Sequence, residues 1–280
     1  MKRIFLLLMC CMMAVLVSAQ TQVKTMYNAQ KKEVTKEKKA KFYRIVEQRA
    51  DKIYKVSYYE VNGPMLWDGL FTSIDPYRPI QRNTYFPSGK LKKSETYENG
   101  NHGVSEYYEN GQMMNKYTRN ADNQFTGEVL SFYEDGTVLR RDSYDAGKLI
   151  DGHCYDRAGK EVAHYDFFVD ASFNGTEYGV SKAFRNLIYQ NLNYPRSAMN
   201  YAVQGVIYVG FTVMTNGKMD NIEVVNAVYS DPEVKEEIVR DMEAEAIRLV
   251  QFVNGWSKPA KMNGQPVDAD YVASIIFQLK

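Results

Sequence analysis

Residues Gly205–Val225 read GVIYVGFTVMTNGKMDNIEVV, and this stretch decides the fold of the C-terminal part. Ile207, Val209, Phe211 and Val213 fall on one face of an extended chain, and Tyr208, Gly210 and Thr212 on the other. A period of two is the mark of a half-buried strand. Thr215-Asn216-Gly217-Lys218 follows, and Asn-Gly supplies the positive φ angles that a tight hairpin turn needs. Ile222 and Val224 alternate with Asn221 and Glu223, which predicts the returning strand.

Outward from that hairpin, Asp231-Pro232 predicts a helix start, aspartate as cap and proline in the first turn. Glu233, Glu236 and Glu237 suit the positive end of the helix dipole. Val234, Ile238, Met242, Ala246, Leu249 and Val253 recur every three or four residues, a helical stripe. Asn254-Gly255 predicts its stop, because glycine accepts the left-handed conformation past a helix end. Val267, Ala269, Tyr271, Ala273, Ile275, Phe277 and Leu279 share one face of a last strand. The order is short helix, strand, strand, long helix, strand. That is a small α+β domain with an antiparallel sheet and two helices.

These residues also carry a family likeness. In order stand Phe173-Asn174-Gly175, Asn191-Leu192-Asn193-Tyr194-Pro195 with Ala198, Gln204-Gly205-Val206, Phe211-Thr212-Val213 and Asn216-Gly217-Lys218. Glu245-Ala246, Trp256 with Pro259-Ala260, Asn263-Gly264-Gln265-Pro266-Val267 and Phe277-Gln278-Leu279 follow. Each motif is weak alone; as an ordered set they make residues 167–280 resemble the TonB C-terminal domain, in the form common in Bacteroidetes. Two departures stand out. The family's usual Gly-Gly is Asn-Gly here, and the region 231–241 is longer.

The N-terminus reads as a leader rather than as fold. Lys2-Arg3 precedes the apolar run Ile4–Val17, and Val17-Ser18-Ala19 is a small-residue cleavage site before Gln20. The rival reading is an uncleaved anchor, but Ile4–Ala19 falls short of the ~20 residues that a spanning helix prefers. Of 35 basic residues, removal of Lys2 and Arg3 leaves 33 against 34 acidic, a balance that argues against nucleic-acid binding through bulk charge. Cys10 and Cys11 lie in the leader, so Cys154 alone remains and no internal disulfide forms. Cys154 sits among repeat residues and reads as a half-buried strand residue rather than a reactive thiol.

Residues 20–42 carry seven lysines against two glutamates and no steady apolar period, which predicts a solvated or weakly helical lead-in. From Tyr43 to Tyr165 the chain holds fourteen of its 22 tyrosines and repeats itself. The copies are Tyr85–Leu91, Tyr107–Met113, Phe132–Val138 and Cys154–Lys160, with Tyr58–Gly63 as a degenerate earlier one. Glycines 89, 111, 136 and 159 are spaced by 22, 25 and 23 residues, which signals a repeat architecture. Each unit reads as two short strands joined by an Asn-Gly or Asp-Gly turn, and neighbours must stack to bury their faces. The pattern resembles MORN-like repeats of the toxin–antitoxin-component type over residues 43–165. The tyrosines suggest an aromatic strip for glycan or peptide; the plainer reading makes them ladder and core residues with one wet end.

No chemistry-bearing constellation appears. His102, His153 and His164 are isolated, and none makes a metal spacing with Cys154 or a carboxylate cluster. There is no phosphate-binding glycine loop and no Gly-x-Ser-x-Gly elbow, so neither an enzyme nor a cofactor is expected. The TonB resemblance instead implies capture of an extended segment of an outer-membrane transporter, or another envelope protein, by strand addition. It places Tyr194 and Pro195 near the contact and makes Tyr271–Leu279 the augmented edge, with Tyr271, Ser274, Ile276 and Gln278 as contacts. Against that, Pro195 could end the short helix and Tyr194 pack on the sheet; Trp256 reads as core. A homodimer through the same edge is a further partner class. The expected location is the periplasm. The alternatives are an energy transducer that keeps its leader as an anchor, and a structural protein acting through its repeats.

Overall fold

The computed structural model describes residues 22–29, 32–49, 51–74, 77–176, 182–253 and 256–279. The leader at 1–19 and the expected helix stop at Asn254-Gly255 lie outside the described residues. The chain divides into two compact units between His164 and Tyr165.

The first unit is one antiparallel sheet whose twelve strands lie in sequence order. They are β1 (Gln22–Tyr27), β2 (Phe42–Gln48), β3 (Tyr54–Glu60), β4 (Met65–Ile74), β5 (Tyr77–Tyr85) and β6 (Leu91–Glu98). β7 (Asn101–Tyr107), β8 (Met113–Arg119), β9 (Gly127–Phe132), β10 (Val138–Asp145), β11 (Lys148–Tyr155) and β12 (Glu161–Val162) complete it. The sheet starts at Gln22, not at Tyr43. The lead-in expected to be solvated contributes β1, because Val23 and Thr25 alternate with Lys24 and Met26 and pair with β2. Lys24 keeps its charge wet while its ammonium stands 4.5 Å from the Tyr43 ring centroid.

The repeat turns share one geometry. Phe86, Tyr108, Tyr133 and Asp156 each donate their N–H to the carbonyl four residues on, at 2.8–2.9 Å. Each accepts the N–H of the glycine three residues on, and only that glycine takes a positive φ, 76° to 92°. Asn-Gly at 99–100 differs: both residues are left-handed, φ 51° and 78°, as a two-residue hairpin requires.

The second unit opens with β13 (Phe168–Val169) and β14 (Ser172–Phe173), then α1 (Lys182–Gln190) and α2 (Arg196–Asn200). β15 (Gly205–Val213) and β16 (Met219–Tyr229) form the hairpin, and α3 (Glu236–Phe252) the long helix. β17 (Trp256–Lys258), β18 (Ala260–Met262), β19 (Gln265–Val267) and β20 (Ala269–Phe277) end the chain. The main sheet has the order β16-β15-β20. Ile207, Val209, Phe211 and Val213 are buried against Ile238, Met242, Ala246 and Leu249 of α3, as the two periodicities require.

Three local readings change. The 215–218 turn leaves only Gly217 left-handed, φ 78°, while Asn216 Oδ1 accepts the Lys218 N–H at 2.9 Å. α3 begins at Glu236 rather than after Asp231-Pro232. Asp231 Oδ1 does accept the Glu233 N–H at 2.9 Å, but it caps a turn; the chain extends again at Lys235, and Val234 packs on the core from outside the helix. Pro195 does not end a helix but stands at the N-cap of α2.

Candidate partner-binding edge

The two outer strands of the C-terminal sheet differ as edges. An edge strand offers unpaired N–H and C=O groups, and bulges or side chains that satisfy those groups blunt it. β16 is blunted. Its register against β15 shifts twice, Asn221 is left-handed at φ 50°, and two of its N–H groups are taken by side chains. Asp220 Oδ1 accepts the Asn221 N–H at 2.8 Å, and Asn226 Oδ1 the Ala227 N–H at 2.9 Å. β20 pairs with β15 from Ala269 to Phe277 without a shift, and among the described residues it pairs with no other strand. Its register is regular, and its other side is left without a strand partner among the described residues.

A groove of about 270 Å³ runs between β20 and α1. Phe184 and Ile188 are buried and fasten the helix to the core, Phe184 stacking on Phe211 at 5.8 Å. Arg185 and Tyr189 stand exposed on the groove's helix side. On the opposite face of β20, Val272 is 52% and Ile276 43% exposed, and β16 exposes Val225 and Val228 to a similar degree.

The expected site residues fall into two groups. Ser274 and Ile276 share the exposed face of β20, and Gln278, also exposed, lies just past its end. Tyr271 turns inward: its hydroxyl accepts the Ala171 N–H at 2.9 Å and donates to Asp170 Oδ1 at 3.2 Å. Its ring stacks on Trp256, which is 8% exposed and belongs to the core. Tyr194 also faces inward, donating to the Val203 carbonyl at 2.7 Å with its ring edge-on to Phe277 at 5.6 Å. Burial pushes its phenol pKa up.

The segment around Pro195 is clamped by Glu245, read in the sequence only as part of a family motif, and by Arg248, which the sequence did not single out. Glu245 Oε1 accepts the Asn193 N–H at 2.8 Å. Arg248 grips Glu245 through Nε and Nη2, both at 2.7 Å, and its Nη2 also donates to the Asn191 carbonyl at 2.8 Å. Glu245 and Arg248 lie three apart on one helix face, the spacing at which side chains meet. That spacing is visible in the sequence; its target, the Asn-Tyr-Pro loop, is not.

In the repeat sheet the tyrosines serve the ladder. Tyr108 Oη donates to the Phe132 carbonyl at 2.8 Å and Tyr133 Oη to the Tyr155 carbonyl at 2.9 Å, so each turn tyrosine ties its repeat to the next. Phe42, Tyr58 and Trp67 stack in series at 5.7 and 5.6 Å, with Arg82 4.9 Å over Trp67. Rings stacked on each other keep few free faces for a glycan. Cys154 is fully buried opposite Arg140. The histidines are not isolated: His102 meets Glu95 at 3.2 Å, His153 meets Glu161 at 2.6 Å, and His164 meets Asp142 at 3.2 Å. Among the described residues no group of three or more metal-ligating side chains is placed to hold an ion.

Comparison with known proteins agrees with this division. Residues 190–279 match the family described as the C-terminal part of the Gram-negative bacterial TonB protein. Residues 81–99 and 125–146 match a variant of the MORN repeat. Among solved structures, the solution structure of the TonB C-terminal domain of Helicobacter pylori (its residues 179–285) is 19% identical. The match covers 35% of this chain and 78% of that one, with a TM-score of 0.25. No curated protein matches the chain.

Proposed function

We propose that this chain, a TonB-type C-terminal domain preceded by MORN-type repeats, is a non-catalytic binding protein of the cell envelope. Its leader, residues 1–19, directs export to the periplasm and is removed. Residues 20–42 are a lysine-rich lead-in, the repeats at 43–165 form a second docking surface, and 167–280 is the capture domain. That domain takes an extended segment of an outer-membrane transporter, or of another envelope protein, as a new strand on β20. Main-chain hydrogen bonds supply the affinity and alternate side chains the selectivity. No nucleic acid, small-molecule substrate or cofactor enters this reading.

The observation that carries it is the contrast between the two edges. β20 offers nine consecutive residues in unbroken register, whereas β16 is bulged and partly self-satisfied. Among the described residues no helix is long and apolar enough to cross a membrane.

A photo-crosslinking residue in place of Ile276, introduced in living cells, tests the proposal. Adducts to the N-terminal segment of an outer-membrane transporter or to another envelope protein are expected, with a mature N-terminus at Gln20. Adducts to another copy of this chain alone would overturn capture of a different protein. A chain that keeps Met1 would move the reading to an anchored transducer.

A further inference from the structure

The repeat turns at 86–90, 108–112, 133–137 and 156–160 are tied to one another, except the first to the second. From the second to the third run the Tyr108 hydroxyl to the Phe132 carbonyl at 2.8 Å and Asn110 Nδ2 to the Glu134 carbonyl at 2.9 Å. From the third to the fourth, the Tyr133 hydroxyl reaches the Tyr155 carbonyl at 2.9 Å. Arg157 of the fourth turn stands 4.7 Å over the Tyr133 ring and 4.0 Å from Asp135. The first junction lacks each of these groups. Phe86 stands where Tyr108 and Tyr133 stand, without a hydroxyl; Ser88 stands in the place of Asn110, and Glu109 in that of Arg157. Among the described residues no side-chain hydrogen bond or ion pair joins residues 86–90 to residues 107–112.

A cavity of about 460 Å³ opens at this junction, with Phe86, Tyr107, Tyr108 and Met114 as its apolar walls. Among the described residues these three rings meet no other ring, unlike the Phe42–Tyr58–Trp67 stack. At the rim Lys92 and Glu109 are exposed, one charge of each sign, and neither forms an ion pair among the described residues. The Tyr107 carbonyl corresponds in the repeat to those of Phe132 and Tyr155, which tyrosine hydroxyls fill. Resting on the reading of the repeats as a docking surface, we infer that this junction takes a tyrosine side chain from an extended segment of a partner protein. The incoming ring packs on Phe86, Tyr108 and Met114, where an aromatic pair adds to the area buried. Its hydroxyl donates to the Tyr107 carbonyl, so the partner supplies the tie that Phe86 lacks. An acidic residue on the Lys92 side of that tyrosine and a basic one on the Glu109 side complement the rim.

The test uses the full chain and fluorescent seven-residue peptides with Glu near one end, Lys near the other and Tyr, Phe or Leu at the centre. The Tyr peptide is expected to bind about five-fold more tightly than the Phe peptide, the scale of one net hydrogen bond. The Leu peptide should bind about three-fold more weakly again, for want of an aromatic pair. In Phe86→Tyr the chain's own hydroxyl takes the Tyr107 carbonyl, and the advantage of Tyr over Phe should vanish. Tyrosine at the same place in the second and third turns shows that the turn accepts this change. Equal binding of the Tyr and Phe peptides to the unaltered chain, or a preference for Tyr that survives in Phe86→Tyr, overturns the inference. Binding of none of the three peptides overturns it as well. A photo-crosslinking residue in place of Glu109, in living cells, separates the inference from the reading on which it rests. Adducts to another protein that diminish in Phe86→Tyr are expected. Adducts undiminished by that change overturn the tyrosine inference and leave the docking surface in place, and absence of any adduct overturns docking at this junction.

Discussion

In the repeat sheet each strand lies beside its neighbours in sequence, whereas in the C-terminal sheet β15 lies between its hairpin partner β16 and the distant β20. The way each unit buries side chains follows from that. Among the described residues the buried charged groups Glu95, Arg140 and Asp142 all belong to the repeat sheet. The C-terminal interior is a continuous cluster of aliphatic and aromatic side chains between sheet and helices. A second layer lets apolar residues from distant segments meet. Among the described residues no α-helix of the repeat unit packs on its sheet, and there a charge finds its partner on the same strand or a nearby one, as Arg140 does in Asp142. The difference teaches that one turn geometry, shared by Tyr108–Gln112 and Met214–Lys218, serves two kinds of interior.

The contrast breaks most visibly in the C-terminal core. Phe211→Ala removes a ring packed against Phe184, Trp256 and Tyr271 and should cost about 4 kcal/mol, as buried Phe truncations do. Hydrogen exchange should show β15 and β20 losing protection while the repeat strands keep theirs. Equal loss in both units would show that they do not fold separately.

The counterpart in the repeats is electrostatic. Arg140 is fully buried and donates from Nη1 to Asp142 Oδ2 at 2.5 Å; His164 closes the group at 3.2 Å from each. Gly152 makes the room, because a Cβ there would stand 2.7 Å from His164 Nε2. Asp142→Asn leaves the guanidinium without its counter-charge and should cost about 3 kcal/mol, read as lost protection in β10 and β11. A cost near zero would mean that water reaches the pair, and the contrast between the two interiors would fail.

How much of this was legible follows the same division. Both amphipathic stripes of the C-terminal unit were readable, because a strand of period two and a helix of period 3.6 each declare their inner face. Repeat spacing likewise showed in the glycines 89, 111, 136 and 159, since their backbone conformation admits few other residues. β1 was hidden by its neighbours' lysines, although the strand itself alternates. The start of α3 was misplaced because Asp231-Pro232 caps a turn as readily as a helix. The Arg140–Asp142–His164 group and the α1 groove could not be read at all. Both bring together residues whose proximity is tertiary, and nothing in the local pattern around Arg185 or His164 announces it.

A smaller effect tests whether the tyrosine ties matter repeat by repeat. Tyr133→Phe deletes the hydroxyl that reaches the Tyr155 carbonyl and should cost about 1 kcal/mol. Phe86 already holds the same turn position without a hydroxyl, so the ring should stay in place. Chemical denaturation followed on the repeat unit measures it; no change would mean that ring packing alone joins the repeats.

The smallest expected effect is one of pH, and it bears on the same buried charges. Glu95 is largely buried, which pushes its carboxyl up. The hydrogen bond with His102 at 3.2 Å and the Lys93 ammonium at 2.9 Å outweigh that and hold it down at about 2, from an ordinary 4.5. A carboxyl depressed in the folded chain gives stability that is complete above the unfolded value and is lost as pH falls through the folded one. The repeat sheet should therefore weaken between pH 4.5 and about 2. Glu95→Gln, which cannot titrate, should lose stability less steeply across that window and be the less stable protein above it. The partial exposure of Lys93 and His102 keeps the difference well below that of Asp142→Asn, because water screens the pairs. Parallel stability profiles for the two proteins through this window would show that Glu95 is solvated. The repeat interior would then hold only one ionic group, at its Arg140 end.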